Sequence, residues 1–447
     1  MKIKYPALAA FCSTLVMAAS AQQVKFTEYD LANGLHVILH QDKTAPVVAV
    51  SVMYHVGSKD EDTARTGFAH FFEHLLFEGS DNIKRGEFMK IVSSNGGQNN
   101  ANTTQDRTFY YEVFPSNQLE LGLWLESERM MHPVINEIGV KTQSEVVKEE
   151  KRLRIDNQPY AKFIYTVFAD VFKEHPYRWA PIGSMAHLEA ARLDEFKAFF
   201  KKYYVPNNAV LSIAGDIDLE KTKQWVKSYF EPIPKGAPVT REKIVEKPMG
   251  KEMIDTAYDA NIQIPAIFAT YRIPGFKSED AKALEMISSI LSGSGSSRLQ
   301  TKLVDQKKTA LQVAAINYPL EDYGLYITLA LPNNGASLDD LLKDIDAEVA
   351  DLQKNLISEA EYQKLQNQFE NAFINSSNTM LGVAQNLAMG YTFYNNTNHV
   401  NDELKVIRSV TREKIREVAA RYLTKDNRVV LRYEPESARP APAQKGF

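Results

Sequence analysis

Two histidines and a glutamate fall within five residues, His70-Phe71-Phe72-Glu73-His74, inside an apolar run. Residues 66–79 read as one buried helix: Thr66 is placed to cap its start and Gly79 to end it, and Phe68, Phe71, Phe72, Leu75, Leu76 and Phe77 surround the polar positions. Positions four apart on a helix lie about 40° from each other around its axis, so His70 and His74 project together with Glu73 beside them. Ionisable groups gathered in apolar surroundings must be paired, hydrogen-bonded or bound to an ion. A divalent metal satisfies all three. Neutral imidazole is an ordinary zinc ligand at about 2.1 Å, and a catalytic zinc site takes three protein ligands and leaves one position open. A neighbouring carboxylate that is not a ligand can take a proton from the activated water and hand it to a leaving amine. Glu73 is placed for that second role. The competing reading is a buried histidine pair satisfied by backbone carbonyls.

The third ligand has to come from another segment. Residues 137–155 read as a helix that carries Glu145, Glu149 and Glu150. Val146, Val147 and Leu153 are expected to form its inward face; Glu150 lies three or four residues from each, whereas Glu149 is turned away from Val147, so Glu150 is the candidate.

The elements around these residues follow from pattern. Residues 26–31 and 35–39 alternate as strands about an Asn33-Gly34 turn, residues 47–56 form a stronger strand, and Gly57-Ser58 and the acidic loop 59–64 lead into the motif helix. Residues 87–94 are helical. Residues 98–114 read as a hairpin whose first arm, with Asn100, Ala101, Asn102 and Thr103, is small and polar. Such an arm is either a solvated sheet edge or an acceptor that takes an extended peptide as an added strand. Residues 119–131, 160–173 and 193–204 are expected to be helical, residues 208–215 a strand, and Phe230-Glu231-Pro232-Ile233-Pro234-Lys235-Gly236 a linker.

The second half repeats the first in outline. Residues 196–215 are echoed by 415–433, and 46–80 by 265–294, but residues 283–287, at the place of the motif, are apolar or acidic and include no histidine. One half is equipped for chemistry and the other is its degenerate copy.

At 447 residues the chain exceeds one ordinary core, and 44% hydrophobic with 24% charged residues is the composition of a soluble globular protein. A net charge of −4 without a basic block excludes a typical nucleic-acid binder. Residues 1–21 have the layout of a secretory signal peptide: Lys2 and Lys4, an apolar stretch too short to span a membrane, then Ala19-Ser20-Ala21. Its removal takes the formal charge from −4 to −6 and carries off Cys12, the single cysteine. The expected product is exported, most simply periplasmic, with no disulfide and no thiol nucleophile.

Taken together these residues resemble the pitrilysin/insulinase family of zinc metallopeptidases, the inverzincins, in particular half-length members related to mitochondrial processing peptidase. The likeness runs through Asn33-Gly34-Leu35, Pro46, Gly57-Ser58, Gly67, the His70 to His74 motif, Phe77, Gly79, Val146-Val147-Lys148-Glu149-Glu150, His175-Pro176-Tyr177, Ile182-Gly183, Tyr203-Tyr204-Val205-Pro206-Asn207-Asn208, Gly215-Asp216 and Ser296-Ser297-Arg298-Leu299. The resemblance implies one Zn2+ per chain held by His70, His74 and Glu150, Glu73 as catalytic base, and a peptide bound as a strand beside Asn100, Ala101, Asn102 and Thr103. It implies an α+β fold of two homologous α/β sandwich domains, residues 22–235 with the zinc and residues 236–447 without ligands. Each is a mostly antiparallel sheet covered by helices, and together they form half of a clam-shell peptidase.

Two positions depart from the family pattern. Relatives often carry a Glu seven residues before the ligand glutamate, where this chain has Gln143. Self-sufficient relatives also place an Arg and a Tyr, which hold the substrate carbonyl, at positions that align with Val304 and Leu311. Lys302, Lys307 and Lys308 supply charge nearby but no aromatic. The chain is therefore expected to be the zinc-bearing subunit of a heterodimer whose partner supplies Arg and Tyr. A non-catalytic assembly subunit and a self-sufficient homodimer are the alternatives. The Gly/Ser stretch 292–296 is either a contact for substrate or partner or a flexible loop.

Overall fold

Strands β3 (Val47–Tyr54) and β6 (Ala209–Gly215) are almost wholly apolar and buried along their length, the pattern of strands covered on both faces. In this computed structural model, which describes residues 23–440 except Asn334 and Ser377, they lie side by side at the centre of a six-stranded sheet. The expected signal segment, residues 1–21, lies outside the described residues. With β1 (Thr27–Asp30), β2 (His36–Gln41), β4 (Gln98–Thr103) and β5 (Thr108–Pro115), the order is β1-β2-β6-β3-β5-β4. Only the β2–β6 pair is parallel.

A second sheet contains β7 (Met253–Asp259), β8 (Ala266–Pro274), β9 (Ala310–Pro319), β10 (Tyr323–Pro332) and β11 (Arg428–Pro435), in the order β7-β11-β8-β10-β9. It reproduces β2-β6-β3-β5-β4 strand for strand, including one parallel pair at the same place. The repeat extends to side chains. Asn208 Nδ2 donates to the Tyr203 carbonyl at 2.8 Å, and Asn427 Nδ2 donates to the Tyr422 carbonyl at 2.9 Å. Each amide fixes the turn by which a helix enters the strand that follows.

The inner face of the first sheet packs against the motif helix and helices Leu119–Met131 and Leu193–Tyr203. Its outer face, through Ile38, Ala49, Met53, Phe109 and Val210, is covered by Val383, Ala384, Leu387 and Ala388 of helix Met380–Tyr394, from the second half. The exchange is reciprocal: helix Phe163–Val171, from the first half, covers the second sheet, with Phe163 stacked on Phe268 at 4.3 Å. That helix is shorter than residues 160–173. Tyr160 takes a left-handed turn at φ 62°, where a helix cannot start, and hydrogen-bonds the Ile264 carbonyl instead.

The turns of the equivalent hairpins also meet. The Lys59 ammonium, almost fully buried, lies 3.0 Å from Asp106 of the β4–β5 turn, and 2.6 and 3.0 Å from Glu321 and Asp322 of the β9–β10 turn. Tyr177 donates to Asp106, and His55 Nε2 lies 2.7 Å from Glu321. Three carboxylates around one ammonium would repel one another, and Tyr177, His55, Lys277 and His175, whose Nε2 lies 3.4 Å from Asp322, supply further donors.

Candidate metal centre

The motif helix spans Phe68–Leu75, shorter at both ends than the expected 66–79. At its start Gly67 is left-handed with φ 98°, and the backbone at Gly183 crosses so closely that a Cβ there would sit 2.3 Å from the Gly67 nitrogen. Thr66 does not cap the helix; its hydroxyl accepts from the Ser184 N–H and faces His187. Buried Glu61 caps instead, accepting from the Gly67 and Ala69 N–H groups at 2.8 Å each. At the other end Leu76 leaves helical geometry and Gly79 turns the chain at φ 128°. Phe68 stacks on Phe196 at 4.5 Å, and Tyr110 donates to the Phe72 carbonyl at 2.9 Å, which fixes the helix in rotation.

The second helix runs Glu137–Lys151 and widens into a π-helical turn at Arg152–Asp156. Asn136 caps it through the Gly139 N–H at 2.9 Å, and Gly139 lets it close on the motif helix, since a Cβ there would be 3.3 Å from Leu75. Val147 is fully buried, as expected, but Val146 and Leu153 are 42% and 55% exposed. The inward-face reading is corrected for those two: they share Glu150's side of the helix, and that side opens to solvent beyond the site rather than into a core.

The two helices bring His70, His74 and Glu150 together, with one ligand atom from each inside a 4.8 Å group. The His70 and His74 Nε2 atoms are 3.4 Å apart, and lie 3.4 and 3.1 Å from Glu150 Oε2. Ligands about 2.1 Å from a tetrahedral centre are separated by roughly 3.4 Å, so this triangle has the dimensions of a three-ligand zinc face. Glu150 Oε2 and His70 Nδ1 are buried without hydrogen-bond partners among the described residues, as suits a carboxylate oxygen left free for a cation. The adjacent His70 and His74 imidazoles hold the Glu150 carboxyl well below the usual carboxylate range. Its other oxygen, Oε1, is paired with Arg154 at 2.7 Å. Glu73 stands apart from the triangle and accepts from the Thr103 hydroxyl at 2.6 Å.

Thr103 ends β4, an outer strand of its sheet. Thr104 N–H donates to the Arg107 carbonyl at 2.9 Å, which sets the phase of the β4–β5 ladder. Ala101 and Thr103 therefore direct their N–H and C=O groups to the free edge, while Asn100 and Asn102 bond to β5. The Asn100 side chain accepts from the outward Ala101 N–H at 2.9 Å, and Asn102 is held by Arg107. All four edge residues of the sequence reading lie on this strand beside the motif helix.

Gln143 donates to Glu78 rather than to the histidines or Glu150. Val304 packs against the second core and Leu311 is 49% exposed on β9. Lys302 and Lys307 are engaged by Glu348 and Asp344 of helix Leu338–Lys354. The Gly/Ser stretch is tied down, Lys364 reaching the Ser294 and Ser296 hydroxyls. Residues 283–287 lie in helix Ala281–Ser292, where Ala283, Leu284, Met286 and Ile287 are fully buried. Glu61 and Arg154 escaped the sequence reading: Glu61 sits in an acidic loop with other carboxylates, and Arg154 in a helix rich in both charges.

Two family models match the chain: insulinase (peptidase family M16) over residues 36–178, which contain His70, Glu73, His74 and Glu150, and the peptidase M16 inactive domain over residues 190–369. Zinc protease PqqE of Helicobacter pylori is 32% identical over 82% of this chain and 84% of its own. The chain belongs to the M16 family. The crystal structure of a protease from Helicobacter pylori superposes with a TM-score of 0.87 at 30% identity, over 92% of this chain and all of that one. The periplasmic protease PqqL from Escherichia coli shares the fold, with a TM-score of 0.76 at 18% identity over 92% of this chain but 48% of its own.

Proposed function

We propose that this chain is an exported zinc-dependent endopeptidase that cleaves unfolded peptides and works as the zinc-bearing subunit of a heterodimer. The observation that carries the proposal is the convergence of His70, His74 and Glu150 beside Glu73 and the free edge of β4. His70, His74 and Glu150 would hold the metal. Zinc, when bound, supplies a Lewis acid that acidifies water and polarises a carbonyl. Glu73 takes the proton from that water and delivers it to the leaving amine. The outward backbone groups of Ala101 and Thr103 pair with the peptide backbone whatever its side chains, which selects for extended, unfolded substrates.

The match to the inactive-domain model falls on residues 190–369 and leaves the triad outside it. Val304 and Leu311 offer no donor to a carbonyl. A chain that spans about half of PqqL leaves room for a second half or a second subunit, and loss of one oxyanion donor costs about 10²–10³ in rate. The test is peptide hydrolysis by purified residues 22–447, alone and with a co-purifying family member, with Glu73→Gln as control. Weak activity alone, a rise of about 10²-fold with the partner and none in the variant are expected. Full activity of the isolated chain overturns the split site, and a chain that takes no zinc is a non-catalytic subunit. Export is tested by cell fractionation; recovery of the full chain with its first 21 residues in the cytoplasm contradicts it.

A further inference from the structure

Thr103 faces two ways. Its backbone N–H and C=O point to the free edge of β4, where the proposed peptide adds, and its hydroxyl donates to Glu73 Oε2 at 2.6 Å. Among the described residues that hydroxyl is the hydrogen-bond partner of the Glu73 carboxylate, which has three side-chain torsions and no ion pair to fix them. The hydrogen bond occupies Oε2 and leaves Oε1 for the proton of water. Threonine is stiff at χ1, so the direction of its hydroxyl follows its backbone, and a peptide paired across Thr103 fixes that backbone.

We propose that Thr103 is a positioning residue that couples docking of the peptide on β4 to placement of the catalytic base. The inference rests on the peptidase reading above and adds to it: binding on the edge strand is spent on orienting Glu73, so the length of substrate paired with β4 governs kcat as well as KM. Arg107 supports the arrangement from the other face by holding the Asn102 carbonyl and side chain, which keeps the strand end in register.

Thr103→Val keeps the branched shape and removes the hydroxyl, and Thr103→Ser restores a hydroxyl. The test compares zinc content and steady-state kinetics of wild type, T103V, T103S and E73Q on a series of peptides shortened from the end that pairs with β4, in whichever subunit composition gives wild-type activity. The expected result is full zinc content in T103V, a fall in kcat of about 10- to 100-fold on the longest peptide, and recovery in T103S. In wild type kcat falls as the peptide shortens, and in T103V it no longer depends on length. A T103V enzyme with wild-type kcat, or one whose kcat keeps the wild-type length dependence, overturns the coupling while leaving the peptidase reading intact. Zinc-loaded wild type with no Glu73-dependent hydrolysis overturns the peptidase reading and the coupling with it. A crystal structure of zinc-loaded T103V gives a readout independent of turnover: a displaced or split Glu73 side chain is expected, and an unmoved one contradicts the proposal.

Discussion

His70, His74 and Glu150 present a triangle of donor atoms with edges of 3.1–3.4 Å, and each predicted effect follows from which corner is removed. His74→Ala or Glu150→Gln leaves two of the three proposed ligands and is expected to bring zinc content close to zero, read by elemental analysis after dialysis. Glu73→Gln removes none of the proposed ligands, so it is expected to retain zinc at the wild-type level and to lose about 10²–10⁴ in hydrolysis rate. Arg154 is 77% exposed, so its pair with Glu150 Oε1 is screened, and Arg154→Ala should weaken zinc binding by less than about tenfold in a chelator competition. The His-x-x-Glu-His spacing was legible because four residues on a helix fix an angle. Of the neighbours that point to Glu150 only Val147 is inward, because a face that opens to solvent can carry the same apolar residues as one that meets a core. The Thr103 bond to Glu73 joins residues 30 positions apart and leaves no periodic trace.

At the scale of elements, the hairpin β4–β5, the helix Leu119–Met131 and the repeated strand–helix units were readable from turn residues and alternation. The buried ion cluster beneath the motif helix was not. In it Arg129 is fully buried, 2.8 Å from Glu112 and 3.1 Å from Glu126, with its guanidinium 4.4 Å from the ring centres of Phe77, Phe88 and Tyr110. Burial, then the charge of Glu126, pushes the Glu112 carboxyl well above its ordinary value. Arg129→Met leaves two carboxylates without a cation and is expected to cost about 3–5 kcal/mol at neutral pH in urea unfolding. A carboxyl raised on folding loses stability as pH rises above its unfolded value of 4.5, so the deficit of the variant should shrink as pH falls towards that value. Glu61→Ala removes the cap of the motif helix, and a loss of about 1–2 kcal/mol is expected.

At the scale of the whole molecule, the exchanged helices make each half the cover of the other's sheet. Strand order preserves the repeat; helix packing breaks its independence. Residues 22–235 alone would expose the outer face of β3, β5 and β6, and are expected to aggregate or to lack a cooperative melting transition. The hairpin clasp adds an acid sensitivity. Burial opposes ionisation of Glu321 and Asp322, but His55 with Lys59, and His175 with Lys59, outweigh it and hold both carboxyls low, Asp322 at about 2. Groups depressed on folding stabilise above their unfolded values, 4.5 and 3.8 here, and lose that contribution as pH falls towards the folded ones. Melting temperature should therefore drop between about pH 4.5 and 2, and less steeply in Glu321→Gln/Asp322→Asn.

The central question is whether the first half holds a working zinc site. The most direct measurement is hydrolysis of an unstructured peptide by wild type and Glu73→Gln at equal, measured zinc occupancy, with the proposed partner subunit present. One zinc per chain in both, with hydrolysis confined to the wild type, is the predicted result. No zinc in the wild type, or equal hydrolysis by both proteins, would contradict it.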